Sequence, residues 1–261
     1  MWIGKLYSCK ERKKMKTVRS YNKLVNEIIN LTLPYRIEIM GYVTYFDKIY
    51  PLLALKHISK MTTKTIIITS GQHGDEYYAV NILLKWLRQP ILFADFNFYI
   101  FPIINPFGYE KNRRTNGNRQ DTNNDANFIK DSKVPELAIL YESFPQTADL
   151  VLDIHGDTGK EQTYCYEHKA EHLPSIAEKA LIENDIIIPY LKTKTIYKVS
   201  VNNGVITPPK YDIGIEGFME KLGVSYTITL ELPGKYDGQK RAEGGIAIIN
   251  SLLKNFKELS K

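Results

Sequence analysis

Short runs of β-branched and aromatic residues alternate along this chain with stretches whose apolar positions fall at helical spacing. Residues 21–31 place Leu24, Val25, Ile28 and Ile29 on one helical face, and Pro34 closes the segment. Two β-rich runs follow, Arg36 to Phe46 and Tyr50 to Ile58, separated by Asp47-Lys48 in the manner of a hairpin. The run Thr65 to Thr69 is almost wholly β-branched, as expected of a strand covered on both faces. A helix is predicted from Asp75 to Arg88, with acidic residues in its first turn and Pro90 beyond its end. Phe96 to Ile104 reads as a buried strand that runs into the turn Asn105-Pro106-Phe107-Gly108. Downstream, helices are predicted at 135–144, 174–184, 214–222 and 242–259, and strands at 150–154 and 224–230. The segment 186–200 is β-rich but interrupted by Pro189, and 201–211 reads as a loop. This alternation predicts one α/β sandwich over residues 20–261, preceded by a basic, flexible tail over residues 1–19.

Composition narrows the class. The chain has 261 residues, 43% hydrophobic and 25% charged, so one domain with a substantial core is affordable in sequence terms. No apolar run nears the roughly 20 residues of a bilayer span. Residues 1–16 are polar and basic, without the apolar centre of a secretion signal. Two cysteines, Cys9 and Cys165, fit a reducing cytoplasm better than a disulfide scaffold. The net charge of +6 is concentrated in the tail, which reads as a solvated arm. No aromatic-interleaved basic motif or helix-turn-helix points to nucleic acid.

The chemistry gathers at predicted strand ends, where open α/β sheets collect ligands. His73 and Glu76 lie in Ser70-Gly71-Gln72-His73-Gly74-Asp75-Glu76, between a strand and a helix. An imidazole and a carboxylate so placed supply two of three protein ligands for a catalytic zinc, and His155, past the strand 150–154, supplies the third. Glu231, at the end of another strand, is the candidate general base for a metal-activated water. Between residues 110 and 127 runs a long polar stretch, and long loops inside compact domains usually carry function. From it Arg114 can stabilise an oxyanion, Asp121 can fix the tautomer of His73, and Asn123 can hold a substrate carboxylate or amide.

Taken in order, His73-x-x-Glu76, Asn105-Pro106-x-Gly108, Arg114, Asp121-x-Asn123, His155 and Glu231 resemble the zinc metallocarboxypeptidase family, the carboxypeptidase A-like enzymes. Arg114-x-Asn116-x-x-x-x-Asp121-x-Asn123 is similar to the short bacterial members that cleave murein peptides. The resemblance implies a mixed eight-stranded sheet between helices. It also implies one Zn2+ held by His73, Glu76 and His155, with Glu231 as base and Arg114 polarising the carbonyl. A peptide or small amide would be the substrate. Asn124 stands where family members carry an arginine that pairs with the substrate's terminal carboxylate, and an amide cannot reproduce a guanidinium fork. Tyr211 lies near the position of the family's covering tyrosine, and Glu216 where the residue at the pocket base sits, a place to read a basic substrate group. Asp153-Ile154-His155-Gly156 also resembles the succinylglutamate desuccinylase and aspartoacylase branch, whose members remove acyl groups from amino acids. A metal-binding module without catalysis is the third alternative.

Overall fold

The computed structural model describes residues 18–31, 35–90, 92–124, 130–208 and 214–259. The tail over residues 1–17 and Tyr211 therefore lie outside the described residues. Val18 and Arg19, counted with the tail in sequence, are docked. Their backbone amides donate to the Glu110 carbonyl, and the Arg19 guanidinium lies 3.7 Å from the centre of the Tyr77 ring.

The sheet begins with the antiparallel hairpin β1 (Arg36–Tyr45) and β2 (Lys48–His57). Its centre is parallel: β3 (Thr65–Ser70) lies between β4 (Asn97–Phe101) and β5 (Leu150–Asp157), and β10 (Tyr226–Pro233) extends β5. β6 (Tyr164–Lys169) pairs antiparallel with β10, and β9 (Val205–Ile206) closes the edge. The eight strands run in the order β1-β2-β4-β3-β5-β10-β6-β9. A separate two-residue ribbon joins β7 (Thr195–Ile196) to β8 (Val199–Ser200).

Strand alternation divides the core into two faces, because successive side chains point to opposite sides. Ile66, Ile68, Leu150, Leu152, Ile228 and Leu230 pack with residues of α1 (Tyr21–Ile29), α2 (Tyr77–Leu87), α5 (Ile176–Glu183) and α7 (Gly238–Leu259). Ile67, Phe101 and Val151 face the other way, onto α4 (Pro135–Ser143) and α6 (Gly214–Lys221). The expected single α/β sandwich with a mixed eight-stranded sheet is thus the architecture found.

Local departures have physical reasons. The turn at Asn105 continues into a short helix, α3 (Pro106–Lys111), because the Asn105 side chain caps it by accepting from Gly108 N–H at 2.7 Å. The segment 164–169, which carries Glu167, His168 and Lys169 and for which the sequence pattern predicts no element, is a strand between β10 and the edge strand β9. The run Ile186-Ile187-Ile188 is not a strand: Ile186 is 95% exposed, while Ile188 is buried against Gly244 of α7. Among the described residues no helix is long and apolar enough to cross a membrane.

Candidate active site

Three neighbouring strands build the floor of the site. On β5 the residues alternate, so Asp153, His155 and Asp157 share the face opposite the Leu152 side of the core. Register pairs His155 with Glu231 and Asp153 with Thr229 across to β10, and then Glu231 with Tyr164, Thr229 with Tyr166 and Thr227 with His168 across to β6. Adjacent strands lie about 4.8 Å apart and alternate residues about 7 Å along a strand. The floor is therefore a grid of polar and aromatic side chains at the carboxyl ends of β5 and β10. A cavity of about 410 Å³ opens on it, walled by Arg114, Asn123, Asn124, Glu216 and Tyr197 among others.

His73 and Glu76 enter from the connection between β3 and α2. Gly71 takes φ +70° there, a left-handed conformation that suits glycine. A Cβ on Gly74 would lie 1.8 Å from the carbonyl carbon of Gly108, so the loop can approach α3 only with glycine at that position. Asn105 Nδ2 donates to the carbonyl oxygens of both Gln72 and Arg114, at 3.1 and 3.0 Å, tying the His73 loop to the polar loop.

His73 Nδ1 lies 2.8 Å from Glu76 Oε1, and His155 Nδ1 lies 3.1 Å from Glu76 Oε2. The two imidazoles meet edge to face, with ring centres 4.9 Å apart. His73, Glu76 and His155 are all buried, and their ligand atoms fall within 4.8 Å of one another, a group that could hold a metal ion. Each imidazole is gripped from behind at Nε2: His73 by Asp121 Oδ1 at 3.1 Å and His155 by Asp153 Oδ2 at 2.9 Å. That leaves both Nδ1 atoms facing the shared carboxylate, the usual way a protein orients metal-ligating histidines. Burial works to lower the His73 pKa, but its bonds to Asp121 and Glu76 outweigh burial and raise it. His155 is held well above its ordinary value in the same way, by Asp153 and Glu76. Burial works to raise Glu76, yet the two imidazoles hold it down at about 2.

Asp121 organises the polar loop. Its Oδ1 also accepts from the backbone amides of Asn123 and Asn124, both at 2.9 Å, and its Oδ2 accepts from Arg114 Nε at 2.7 Å. Arg114 Nη1 then lies 3.7 Å from Glu76 Oε1, at the edge of the cluster and half exposed. Among the described residues, Asn123 Oδ1 is buried without a hydrogen-bond partner, and Asn124 lines the cavity.

Two carboxyls complete the floor. Burial pushes the Glu231 carboxyl up to about 7. Burial first, then the charge of Asp153, pushes Glu216 up to about 8, while Thr229 Oγ1 donates to it at 2.6 Å. The structure thus brings together His73, Glu76, Arg114, Asp121, Asn123, Asn124, His155, Glu216 and Glu231. Sequence reasoning left Thr229, Tyr164, Tyr166 and Tyr197 out of the site. Once β6 is recognised, its alternation and pairing with β10 identify the first three.

Residues 62–189 match the family model of the succinylglutamate desuccinylase/aspartoacylase catalytic domain. The match spans His73, Glu76, Arg114, Asp121, Asn123 and His155 and ends before Glu216 and Glu231. No curated protein matches the chain in sequence. A proposed metallopeptidase from Shewanella amazonensis has a similar crystal structure, with TM-score 0.75 and 24% identity over 89% of this chain and 90% of that one. A metallo-carboxypeptidase from Burkholderia cenocepacia superposes with TM-score 0.66 at 19% identity, covering 92% and 70% of the two chains. The fold is carboxypeptidase-like. Bovine thrombin-activatable fibrinolysis inhibitor shares it at TM-score 0.63 and 16% identity, over 94% of this chain and 99% of that one. The carboxypeptidase-like chain thus resembles the zinc carboxypeptidase-like group both in its motifs and in its fold.

Proposed function

We propose that the protein is a zinc-dependent hydrolase that cuts the amide bond of a terminal amino acid, in the manner of a carboxypeptidase. The observation that carries this reading is the half-buried Glu231 carboxyl, in register with His155 and with its pKa pushed up to about 7 by desolvation. A pure binding site has no use for a proton acceptor poised near neutrality beside a metal-ligand cluster.

His73, Glu76 and His155 would hold the ion. Two imidazole nitrogens and one carboxylate form a donor set typical of catalytic zinc, and the fixed Nε2 atoms leave both Nδ1 atoms for it. When bound, zinc supplies Lewis acidity toward water and the substrate carbonyl. Glu231 accepts a proton from the attacking water and delivers it to the leaving nitrogen. A C–O bond forms, the C–N bond breaks, and the products are a carboxylic acid and an amine. Arg114 donates to the oxygen that gains negative charge. Asn123 and Asn124 receive the terminal carboxylate by neutral donors. Glu216 receives a basic side chain, whose charge favours the ionised form of that carboxyl. Tyr211 remains a proposed covering group.

A deacylase of N-acyl amino acids is the second reading. The family match over residues 62–189 and the position of Asp153 before His155 favour it. Both readings use one centre and differ in the acyl group removed. The test is hydrolysis of peptides ending in lysine or in alanine, of murein peptides and of N-acyl amino acids, with and without a chelator. Release of terminal lysine that stops on chelation and returns with Zn2+ is expected. No cleavage in any class with zinc present would refute the proposal.

A further inference from the structure

We propose that Asp157, Tyr164, Tyr166 and Tyr197 form a cation subsite that takes an amino group on the acyl side of the scissile bond. The proposal rests on the reading of the centre as an amide hydrolase and adds the charge of the group removed from the amine.

Strand geometry sets the two ends of the cavity. Asp153, His155 and Asp157 share one face of β5, each about 7 Å from the next. Glu216, held by Thr229, lies at the Asp153 end. Asp157 lies at the other end, beyond the metal-ligand row. A substrate whose amine half reaches Glu216 therefore directs its acyl half toward Asp157.

The Asp157 end is built for a cation. Its Oδ2 accepts from the Tyr164 hydroxyl at 2.9 Å and from the Tyr197 hydroxyl at 2.7 Å, and its Oδ1 accepts from the Gly159 amide at 2.8 Å. All three donors are neutral, and among the described residues no lysine, arginine or histidine is ion-paired with Asp157. Tyr164 and Tyr166 meet edge to face at 5.8 Å, and both rings line the cavity with Asp157. A carboxylate held by neutral donors in a cavity lined by aromatic rings favours an ammonium ion. The Lys160 ammonium already lies 5.1 Å from the centre of the Tyr197 ring, and Lys160 is not among the residues that line the cavity.

Tyr197 is held there by an unusual turn. Ile196 pairs with Val199, so Tyr197 and Lys198 alone make the turn, with φ +47° and +67°. Asparagine and glycine normally take these positions. Side chains in this conformation persist where other contacts fix them, and here the Tyr197 hydroxyl is fixed on Asp157 across the cavity rim. An acyl group ending in a carboxylate, such as succinyl, would meet Asp157 as a like charge.

The test uses three amides of one leaving residue, lysine, joined through its α-nitrogen: 4-aminobutyryl-, butyryl- and succinyl-lysine. They are close in length and differ in terminal charge. Binding is measured by calorimetry on the zinc-loaded Glu231→Gln variant, and kcat/KM on the zinc-loaded wild type. The 4-aminobutyryl compound should bind about tenfold more tightly than the butyryl compound, with succinyl weakest. In Asp157→Asn the ratio of the first two affinities should fall to near one. Tyr197→Phe, which keeps the exposed ring and loses the hydroxyl, should reduce that ratio in part. Ordered binding without hydrolysis would refute the hydrolase reading and leave the subsite standing. Equal binding of all three, binding of none, or a preference for succinyl would overturn the subsite, whatever the turnover.

Discussion

Glu231 on β10 and His155 on β5 are register partners on adjacent parallel strands. A candidate base and a candidate metal ligand are thereby fixed about 4.8 Å apart at the backbone by the sheet itself. Positions on paired strands are more rigid than positions on loops, so this pair is held more firmly than His73 and Glu76, which come from a connection.

Glu231→Gln removes the proton acceptor and keeps the size of the side chain. Turnover is expected to fall by about 10²- to 10⁴-fold. Zinc content should stay at the wild-type value, because Glu231 is outside the His73, Glu76, His155 group. Steady-state kinetics with metal analysis on the same sample checks both, and normal turnover would remove Glu231 from the mechanism.

Asp121→Asn and Asp153→Asn each weaken the grip on one imidazole Nε2. Each should lower zinc affinity by about 10- to 100-fold. Competition with a chromogenic chelator measures this. Unchanged affinity in both variants would mean that the carboxylates do not orient the ligands.

The pH dependence has a definite sign. Without metal, Glu231 and Glu216 are raised from an ordinary 4.5 to about 7 and about 8, and His73 and His155 are raised as well. The folded protein therefore binds more protons than the unfolded chain, and these groups contribute stability that disappears as pH rises through their folded values. Metal-free protein should lose melting temperature as pH rises from about 6 to about 8.5. Zinc needs the deprotonated ligands, so zinc-loaded protein should lose less over the same range. Melting curves of both forms across that range decide it; parallel curves would count against the assignment.

Gly74→Ala forces a methyl group onto the Gly108 backbone. Destabilisation of about 2–3 kcal/mol is expected, with weakened zinc binding, because His73 and Glu76 lie on the displaced loop. Urea unfolding of the metal-free protein measures the first effect, and a stability equal to wild type would show that the loop yields at no cost.

Much of the site was legible because its residues sit where a strong local pattern stops. Thr65 to Thr69 is unmistakably a buried strand, so His73 and Glu76 are placed by the glycines that end it. His155 and Glu231 likewise close apolar runs. The rest was hidden where local pattern and tertiary role disagree. Tyr164-Cys165-Tyr166-Glu167-His168-Lys169 lacks an alternation of apolar with polar residues, because one face of that strand lines a polar cavity and Glu167 is buried against the start of α5, accepting from the Ile176 and Ala177 amides. The tyrosines of the acyl end were lost with it. Tyr197 was invisible for another reason: no residue type in Ile196-Tyr197-Lys198-Val199 signals a two-residue turn. The partner of Glu216, Thr229, emerges only from the register of β10 with its neighbours.

Metal content is the most direct measurement of the central claim. Purified protein, stripped with a chelator and titrated with Zn2+, should bind one ion per chain at the site of His73, Glu76 and His155. His73→Ala should abolish this tight site. Failure of the wild type to bind zinc, or unchanged binding in His73→Ala, would contradict the account.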